Sequence, residues 1–157
     1  PYPLRFNGDR NYAAPECFYP TFSATKESLY QVDNYMLGGL VTFYITGVTF
    51  NLLMHNHLPD DYKFLQVRQG EVYSNVLPDM INAYQNALKE FEAEVPVDEV
   101  RHGLVSLVSY LCNPDPARRG HPKNVAETSL TPNYDLQRTI QELDVLQKKA
   151  ELALMKK

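Results

Sequence analysis

The sequence of 157 residues contains no tryptophan and only two cysteines, Cys17 and Cys112. Two cysteines are too few for a disulfide-stapled scaffold, and without a signal peptide they favour a reduced, cytoplasmic setting, although a single disulfide is also compatible with the sequence. Cationic residues are scarce as well, because 15 Lys and Arg stand against 19 Asp and Glu and leave a formal net charge of −4. Neither nucleic acid nor a membrane is therefore an expected partner.

Long uninterrupted apolar runs are also lacking. The nearest approach to a membrane span is Ser28–Gly47, but this segment contains Asp33 and Asn34, and no cationic flank follows it. Apolar residues recur on every side of the segment at helical spacing, a pattern typical of a buried helix. The sequence therefore predicts a central helix over residues 29–46, around which the other elements pack.

Glycines within and after this helix predict two local features. Gly38 and Gly39 are adjacent, and each costs about 1 kcal/mol relative to Ala in a helix interior. Such a pair indicates that another element packs closely against the helix backbone. Gly47 is placed to end the helix in the left-handed conformation that favours glycine.

The rest of the chain predicts a mainly helical fold. One short helix is expected to begin at Pro15, and apolar stripes predict helices from Asp79 to about Glu94 and from Pro96 to Cys112. Residues 48–78 are predicted to form a long connection with one short helix, and residues 113–134 to be largely loop. A final helix, at about residues 135–155, places one apolar stripe on a single side, formed by Leu136, Ile140, Leu143, Leu146, Ala150 and Leu154. This stripe either packs on the same domain or binds a partner.

Three short motifs follow one another along the chain. Residues Gly8–Glu16 read GDRNYAAPE and resemble the end of the activation segment of eukaryotic-type protein kinases, usually Gly-Thr-x-x-Tyr-x-Ala-Pro-Glu. Residues Asp33–Gly38 resemble the Asp-x-Trp/Tyr-Ser-Leu-Gly that opens a buried helix in this family, and the helix closes with Thr-Gly, as it does there. Residues Asp115–Arg119 match the Asp-Pro-x-x-Arg found near the end of the kinase large lobe.

This resemblance implies a fold and a function. Residues 1–125 would form the C-terminal part of a protein-kinase-like large lobe around the buried helix, and residues 126–157 a linker and helical extension. The parent protein would transfer the γ-phosphoryl group of ATP to protein Ser or Thr with Mg²⁺. The Gly-rich loop, the ATP-positioning Lys, the catalytic loop and Asp-Phe-Gly precede this region in the family. No catalytic residue is therefore assigned, no ATP or Mg²⁺ site is expected in this chain alone, and the missing N-terminal part of the kinase domain and a protein substrate are the expected partners.

The resemblance also implies roles for individual residues. The loop that receives the peptide substrate would consist of Gly8, Asp9, Arg10, Asn11, Tyr12 and Ala13. Structural roles are implied for Ala14, Pro15, Glu16, Asp33, Gly38 and Arg119. Glu16 and Arg119 are predicted to form a buried ion pair, since the family brings these two motifs together, and the adjacent Arg118 is the alternative partner of Glu16. Asp33 is predicted to point toward a face that only the preceding residues or another chain can cover.

Two other readings of the sequence stay open. Asp9 stands where Ser/Thr kinases have Thr, and an acid close to the catalytic carboxylate favours a catalytically inactive homologue that acts as a binding scaffold. An unrelated helical interaction domain is the remaining alternative. No metal site is predicted, because His55 and His57 lack further ligands at suitable spacing, and neither cysteine has the His-paired context of a nucleophile.

Overall fold

The computed structural model describes residues 9–60, 72–126 and 136–156, which are mainly helical and include no strand. The α-helices in these ranges are α1 (Lys26–Thr46), α2 (Phe50–His57), α3 (Tyr73–Glu94), α4 (Asp98–Leu111), α5 (Pro122–Ala126) and α6 (Gln137–Met155). Short 3-10 helices lie at Arg10–Tyr12, Pro15–Phe18 and Pro116–Arg118. The predicted short helix at Pro15 is thus confirmed, whereas Gly8 and the predicted linker at 127–135 lie outside the described residues.

Helix α1 is the helix predicted over residues 29–46, and both of its ends have clear causes. Thr25 is the N-cap: its hydroxyl accepts from the Ser28 N–H at 3.2 Å, and the Ser28 hydroxyl accepts from the Thr25 N–H at 2.9 Å. This reciprocal pair satisfies N–H groups that have no intrahelical partner. At the other end Gly47 has φ of 76°, so the predicted left-handed cap is confirmed.

The prediction that α1 is buried on every side is wrong for the described part of the chain. Val32, Tyr35 and Thr42 are buried, but large apolar residues on the opposite side are exposed. We call this side the open face of α1; it consists of Leu29, Tyr30, Asp33, Leu40 and Tyr44. The apolar pattern therefore indicates a helix with two apolar faces. The described residues cover one of these faces and leave the other exposed.

Helix α3 begins at Tyr73, before the Asp79 that the sequence predicted as its cap, and it contains Pro78. A proline inside a helix removes one backbone hydrogen bond and normally marks a boundary. Here Tyr73, Val76 and Met80 on either side of it are all buried in the core. Their packing offsets the lost bond, so the helix runs through the proline and ends at Glu94, as predicted.

The core forms where α1, α2, α3 and α4 meet. Its largest fully buried side chains include Tyr35, Phe50, Met80, Phe91 and Leu107. The predicted stripe of α4 consists of Val97, Val100, Leu104, Leu107 and Leu111. The last four are buried as expected, whereas Val97 is the N-cap and is partly buried. Helix α4 thus contacts α1 and α3 and also carries α6 on its outer side.

Helix α6 packs against α4 with part of the predicted stripe, because Leu146 is buried and Leu143 and Ala150 are partly buried against the core. Thr139, Leu146 and Ala153 are buried, while the stripe residues Ile140 and Leu154 are exposed. Two contacts with α4 hold this face of α6. Tyr110 of α4 donates a hydrogen bond to Glu142 Oε2 at 2.9 Å, and Leu146 occupies the space left by the missing side chain of Gly103.

None of the described helices is individually long and apolar enough to cross a membrane. Taken together, α1 and α2 have the length and the apolar composition of a membrane-spanning segment, although the axes of the two helices are bent by 88° at the break between them. Both helices contribute buried residues to the core described above.

Candidate functional site

The predicted ion pair between Glu16 and Arg119 is present in the structure, which confirms that prediction. Arg119 Nη1 donates to Glu16 Oε1 at 2.6 Å and Nη2 donates to Oε2 at 3.0 Å, the two parallel bonds that a planar guanidinium can make. The Arg119 side chain has no exposed surface and that of Glu16 is 10% exposed. Segments 103 positions apart in the sequence are therefore joined in the interior.

The remaining donors of Arg119 hold two further segments. Its Nε donates to the Asn113 carbonyl at 2.8 Å, and Nη1 also reaches the Gln31 carbonyl of α1 at 3.2 Å. A charged group in the interior is stable only when it is paired and hydrogen-bonded. Arg119 meets this condition with the Glu16 carboxylate and with backbone carbonyls of two other elements.

Burial and charge act in opposite directions on Arg119. Removal from water disfavours the guanidinium, but the adjacent Glu16 carboxylate more than compensates, so the pKa of Arg119 lies above its already high ordinary value. The guanidinium carbon also lies 5.0 Å from the centroid of the Tyr35 ring. Arg119 therefore stays charged and is held between a carboxylate and an aromatic ring.

The loop before the ion pair is a short turn at the surface. The Asp9 carboxylate accepts from the Asn11 N–H at 2.9 Å, and the Asp9 and Arg10 carbonyls accept from the Tyr12 and Ala13 N–H groups at 3.1 and 3.3 Å. Asp9, Arg10 and Asn11 are exposed, while Ala13 is fully buried. The first three residues of the turn are therefore accessible to solvent, and its last residue is buried in the interior.

Two buried polar side chains support the end of this turn. Asn51 Nδ2 of α2 donates to the Ala13 carbonyl at 2.8 Å, and Tyr35 of α1 donates from its hydroxyl to Asn51 Oδ1 at 2.6 Å. Burial raises the pKa of Tyr35 well above its ordinary value, so the hydroxyl stays protonated and can donate. A chain of polar contacts therefore runs from Glu16 and Arg119 across Tyr35 to the turn.

A pocket of about 570 Å³ opens beside the turn, between it, the end of α1 and the start of α2. Its walls are largely apolar and include Tyr12, Phe18, Phe43, Val48 and Leu52. Its polar lining includes Asp9, Arg10, Asn11, Asn51 and His55. The volume lies in the range of ligand-binding clefts, and apolar walls with a few polar groups are typical of such clefts.

The other structural residues predicted from the sequence lie where the helices meet. Ala14 and Pro15 are buried next to Glu16. Gly38 faces α4, and a Cβ built on it would lie 2.8 Å from Leu111 Cβ. The predicted close packing against this glycine is therefore confirmed. Asp33 is exposed in the middle of the open face of α1, so the prediction that another segment covers it stays a prediction.

Sequence reasoning missed several residues of this site. Asn51, Phe43, Leu52 and His55 line the pocket, although none belongs to the three motifs. Nothing in the local pattern around Asn51 distinguishes it from an exposed helical asparagine. Its role depends on Ala13, 38 positions away.

The residues considered for metal or nucleophilic chemistry have other surroundings. His57 Nε2 lies 3.0 Å from Glu90 Oε1, and within the described ranges no group of three or more His, Cys, Asp or Glu is placed to hold a metal ion. Burial raises the pKa of both Cys17 and Cys112 well above the ordinary value, so these thiols stay protonated. Both cysteines are free and act as small core residues.

The chain was also compared with models of protein families, with curated proteins and with solved structures, and no match was found in any of the three comparisons.

Proposed function

We propose that residues 1–125 are the C-terminal part of a protein-kinase-like large lobe, whose parent transfers the γ-phosphoryl group of ATP to Ser or Thr of a protein. The observation that carries this proposal is the buried pair of Glu16 and Arg119. A Glu in a first helical turn and an Arg after Asp-Pro are ordinarily solvent-exposed. Their pairing joins the two motifs that a kinase-like lobe would bring together.

The turn at residues 9–13 and the adjacent pocket are proposed to bind the peptide substrate. The turn exposes Asp9, Arg10 and Asn11 to a ligand, and the pocket offers apolar walls at Phe43 and Leu52. An extended peptide could place one apolar side chain in the pocket while its backbone runs past the exposed turn. This part of the chain would select and position the peptide, and it would supply no catalytic residue.

The open face of α1 is proposed to contact the missing N-terminal part of the kinase-like domain. Exposed apolar patches of this kind mark interaction surfaces. Asp33 lies among Leu29, Tyr30, Leu40 and Tyr44, so the covering segment needs hydrogen-bond donors opposite the carboxylate as well as apolar side chains. That missing part would also bind ATP and Mg²⁺, and a cytoplasmic location is proposed for the whole protein.

The alternative function is that of a catalytically inactive homologue that serves as a binding scaffold. Asp9 favours it, because the Asp9 carboxylate is engaged in capping the turn through the Asn11 N–H and does not supply the hydroxyl found in Ser/Thr kinases. Both functions use the same peptide-binding surface. They differ in whether the preceding segment contains a catalytic Asp and an Asp-Phe-Gly motif.

Peptide binding is tested with labelled Ser-containing peptides in which one neighbour of the Ser is Leu, Phe, Asp or Lys. Fluorescence anisotropy with the 157-residue chain should show tighter binding when the neighbour is apolar. Leu52 lines the pocket and is 49% exposed, so Leu52→Glu can be introduced without disturbing the core. We expect this variant to weaken binding of the apolar peptides by at least about tenfold, or about 1.4 kcal/mol.

Tyr44→Glu is the matched control, because Tyr44 is 83% exposed and does not line the pocket. It places the same charge on a neighbouring surface and should leave peptide affinity unchanged. The assignment of this pocket to a peptide side chain would be contradicted if peptides with an apolar and with a charged neighbour of the Ser bound equally well. Equal losses of peptide affinity in Leu52→Glu and Tyr44→Glu would also contradict it.

A further inference from the structure

Asn51 links the surface turn to the interior of the helical core. The hydrogen bonds within the turn, from Tyr12 N–H to Asp9 O and from Ala13 N–H to Arg10 O, are local and do not place the turn relative to the helices. The bond from Asn51 to the Ala13 carbonyl does so, since Asn51 belongs to α2. Asn51 is 7% exposed, so water competes little for this contact.

The orientation of the Asn51 amide follows from its two partners. A backbone carbonyl can only accept, so the nitrogen of the amide must face Ala13. The amide oxygen then faces Tyr35, whose hydroxyl must donate to it. Tyr35 is fully buried in α1 and therefore holds the amide in one of its two orientations.

The same tyrosine ring also contacts the ion pair. The guanidinium of Arg119 lies over the Tyr35 ring, and Arg119 is bound to Glu16. Glu16 follows Ala13 by three positions. Both ends of the segment 13–16 are thus linked to Tyr35. Glu16 is linked through Arg119, whose guanidinium lies over the Tyr35 ring, and Ala13 is linked through Asn51, which accepts from the Tyr35 hydroxyl.

We propose that Asn51 is a positioning residue that holds the turn at residues 9–13 and thereby shapes the adjacent pocket, with Tyr35 orienting its amide. The consequence for peptide recognition rests on the proposed function, whereas the link between Asn51 and the turn does not. Asn51 also lines the pocket, so a shift of its side chain alters both the wall of the pocket and the turn above it.

Hydrogen exchange of the turn, followed by mass spectrometry on the 157-residue chain, tests this role. In Asn51→Ala we expect the amides of Tyr12 and Ala13 to exchange at least about tenfold faster than in the wild type. Asn51→Asp retains the volume and the acceptor for Tyr35 but loses the donor to Ala13, so it should give the same result. Tyr35→Phe removes only the group that orients the amide and should give a smaller increase.

Asn34→Ala is the control for a general loss of stability. Asn34 is 5% exposed and its amide also donates to a backbone carbonyl, that of Tyr30 at 3.0 Å, but it is not bonded to the turn. The variants are compared at urea concentrations that give equal fractions unfolded. If Asn51→Ala and Asn51→Asp accelerate exchange in the turn no more than Asn34→Ala does, Asn51 is an ordinary core residue and the proposal is overturned.

Peptide affinity, measured with the same labelled peptides, separates this proposal from the proposed function. We expect Asn51→Asp to weaken binding of apolar peptides at least about fivefold and Asn34→Ala to leave it unchanged. Faster exchange in the turn together with unchanged affinity would overturn the part of the proposal that concerns the pocket. If the wild type binds none of the peptides, the proposed function fails, and the exchange data alone decide whether Asn51 positions the turn.

Discussion

Replacing Arg119 by Ala is expected to lower the free energy of unfolding by about 3–5 kcal/mol, the cost of removing one partner of a buried ion pair. The variant would leave the Glu16 carboxylate in the interior without the two bonds that it accepts from Arg119. It would also remove the donor to the Asn113 carbonyl and the contact with the Tyr35 ring. Urea midpoints, measured by circular dichroism, report the change.

The adjacent Arg118 is the matched control for this experiment. Its side chain is 78% exposed and its Nε lies 3.5 Å from the Asp115 carboxylate, so it forms a surface pair. Such pairs contribute at most about 1 kcal/mol, and Arg118→Ala should change stability by no more than that. Glu16→Gln, which keeps the side-chain volume but removes the charge, should also destabilise the fold. Near-wild-type stability of Arg119→Ala would contradict the structural role given to this pair.

The second large effect concerns Gly38, where two physical effects predict opposite signs. Helix propensity alone predicts that Gly38→Ala stabilises the protein by up to about 1 kcal/mol. A Cβ at this position, however, would lie 2.5 Å from Cys112 Sγ and 2.8 Å from Leu111 Cβ. Because Leu111 Cβ is fixed to the backbone of α4, the two helices would have to move apart. Overpacking of this kind costs about 1–3 kcal/mol, so we expect net destabilisation.

Gly39→Ala is the control for Gly38→Ala, since it makes the same chemical change one position further along α1. Within the part of the chain that the structure describes, a Cβ at Gly39 would meet only the ring edge of Tyr12, at 3.2 Å, and Tyr12 is half-buried and can move. We therefore expect Gly39→Ala to change thermal stability much less than Gly38→Ala. A higher melting temperature for Gly38→Ala would show that α1 and α4 do not pack as closely as described.

Features set by local physics could be predicted from the sequence. The extent of α1 and the cap at Gly47 follow from helical spacing and from the preference of glycine for positive φ. The stripe of α4 follows from its spacing as well. The pair of Glu16 and Arg119 is different, because no local rule connects residues so far apart. It was predicted from the resemblance of two motifs to one family.

Features set by tertiary contacts could not be predicted. Helix α3 continues through Pro78 because residues before and after it are buried, and the sequence pattern gives no sign of that compensation. On α6 the apolar stripe predicts only part of the contact face, because Leu146 packs against Gly103 of α4 while Ile140 and Leu154 are exposed. The role of Asn51 likewise depends on a carbonyl in a distant turn.

The most direct measurement of the central claim is transfer of labelled γ-phosphate from ATP, with Mg²⁺, by a polypeptide that joins these residues to the preceding part of the proposed kinase-like domain. The account predicts incorporation of the label into Ser or Thr of a protein substrate, and a reduced rate in Arg119→Ala. Leu52→Glu should reduce transfer to peptides with an apolar neighbour, while Arg118→Ala should transfer label as the wild type does. Absence of transfer to any protein, with no binding of ATP, would contradict the kinase function and leave the binding scaffold as its replacement.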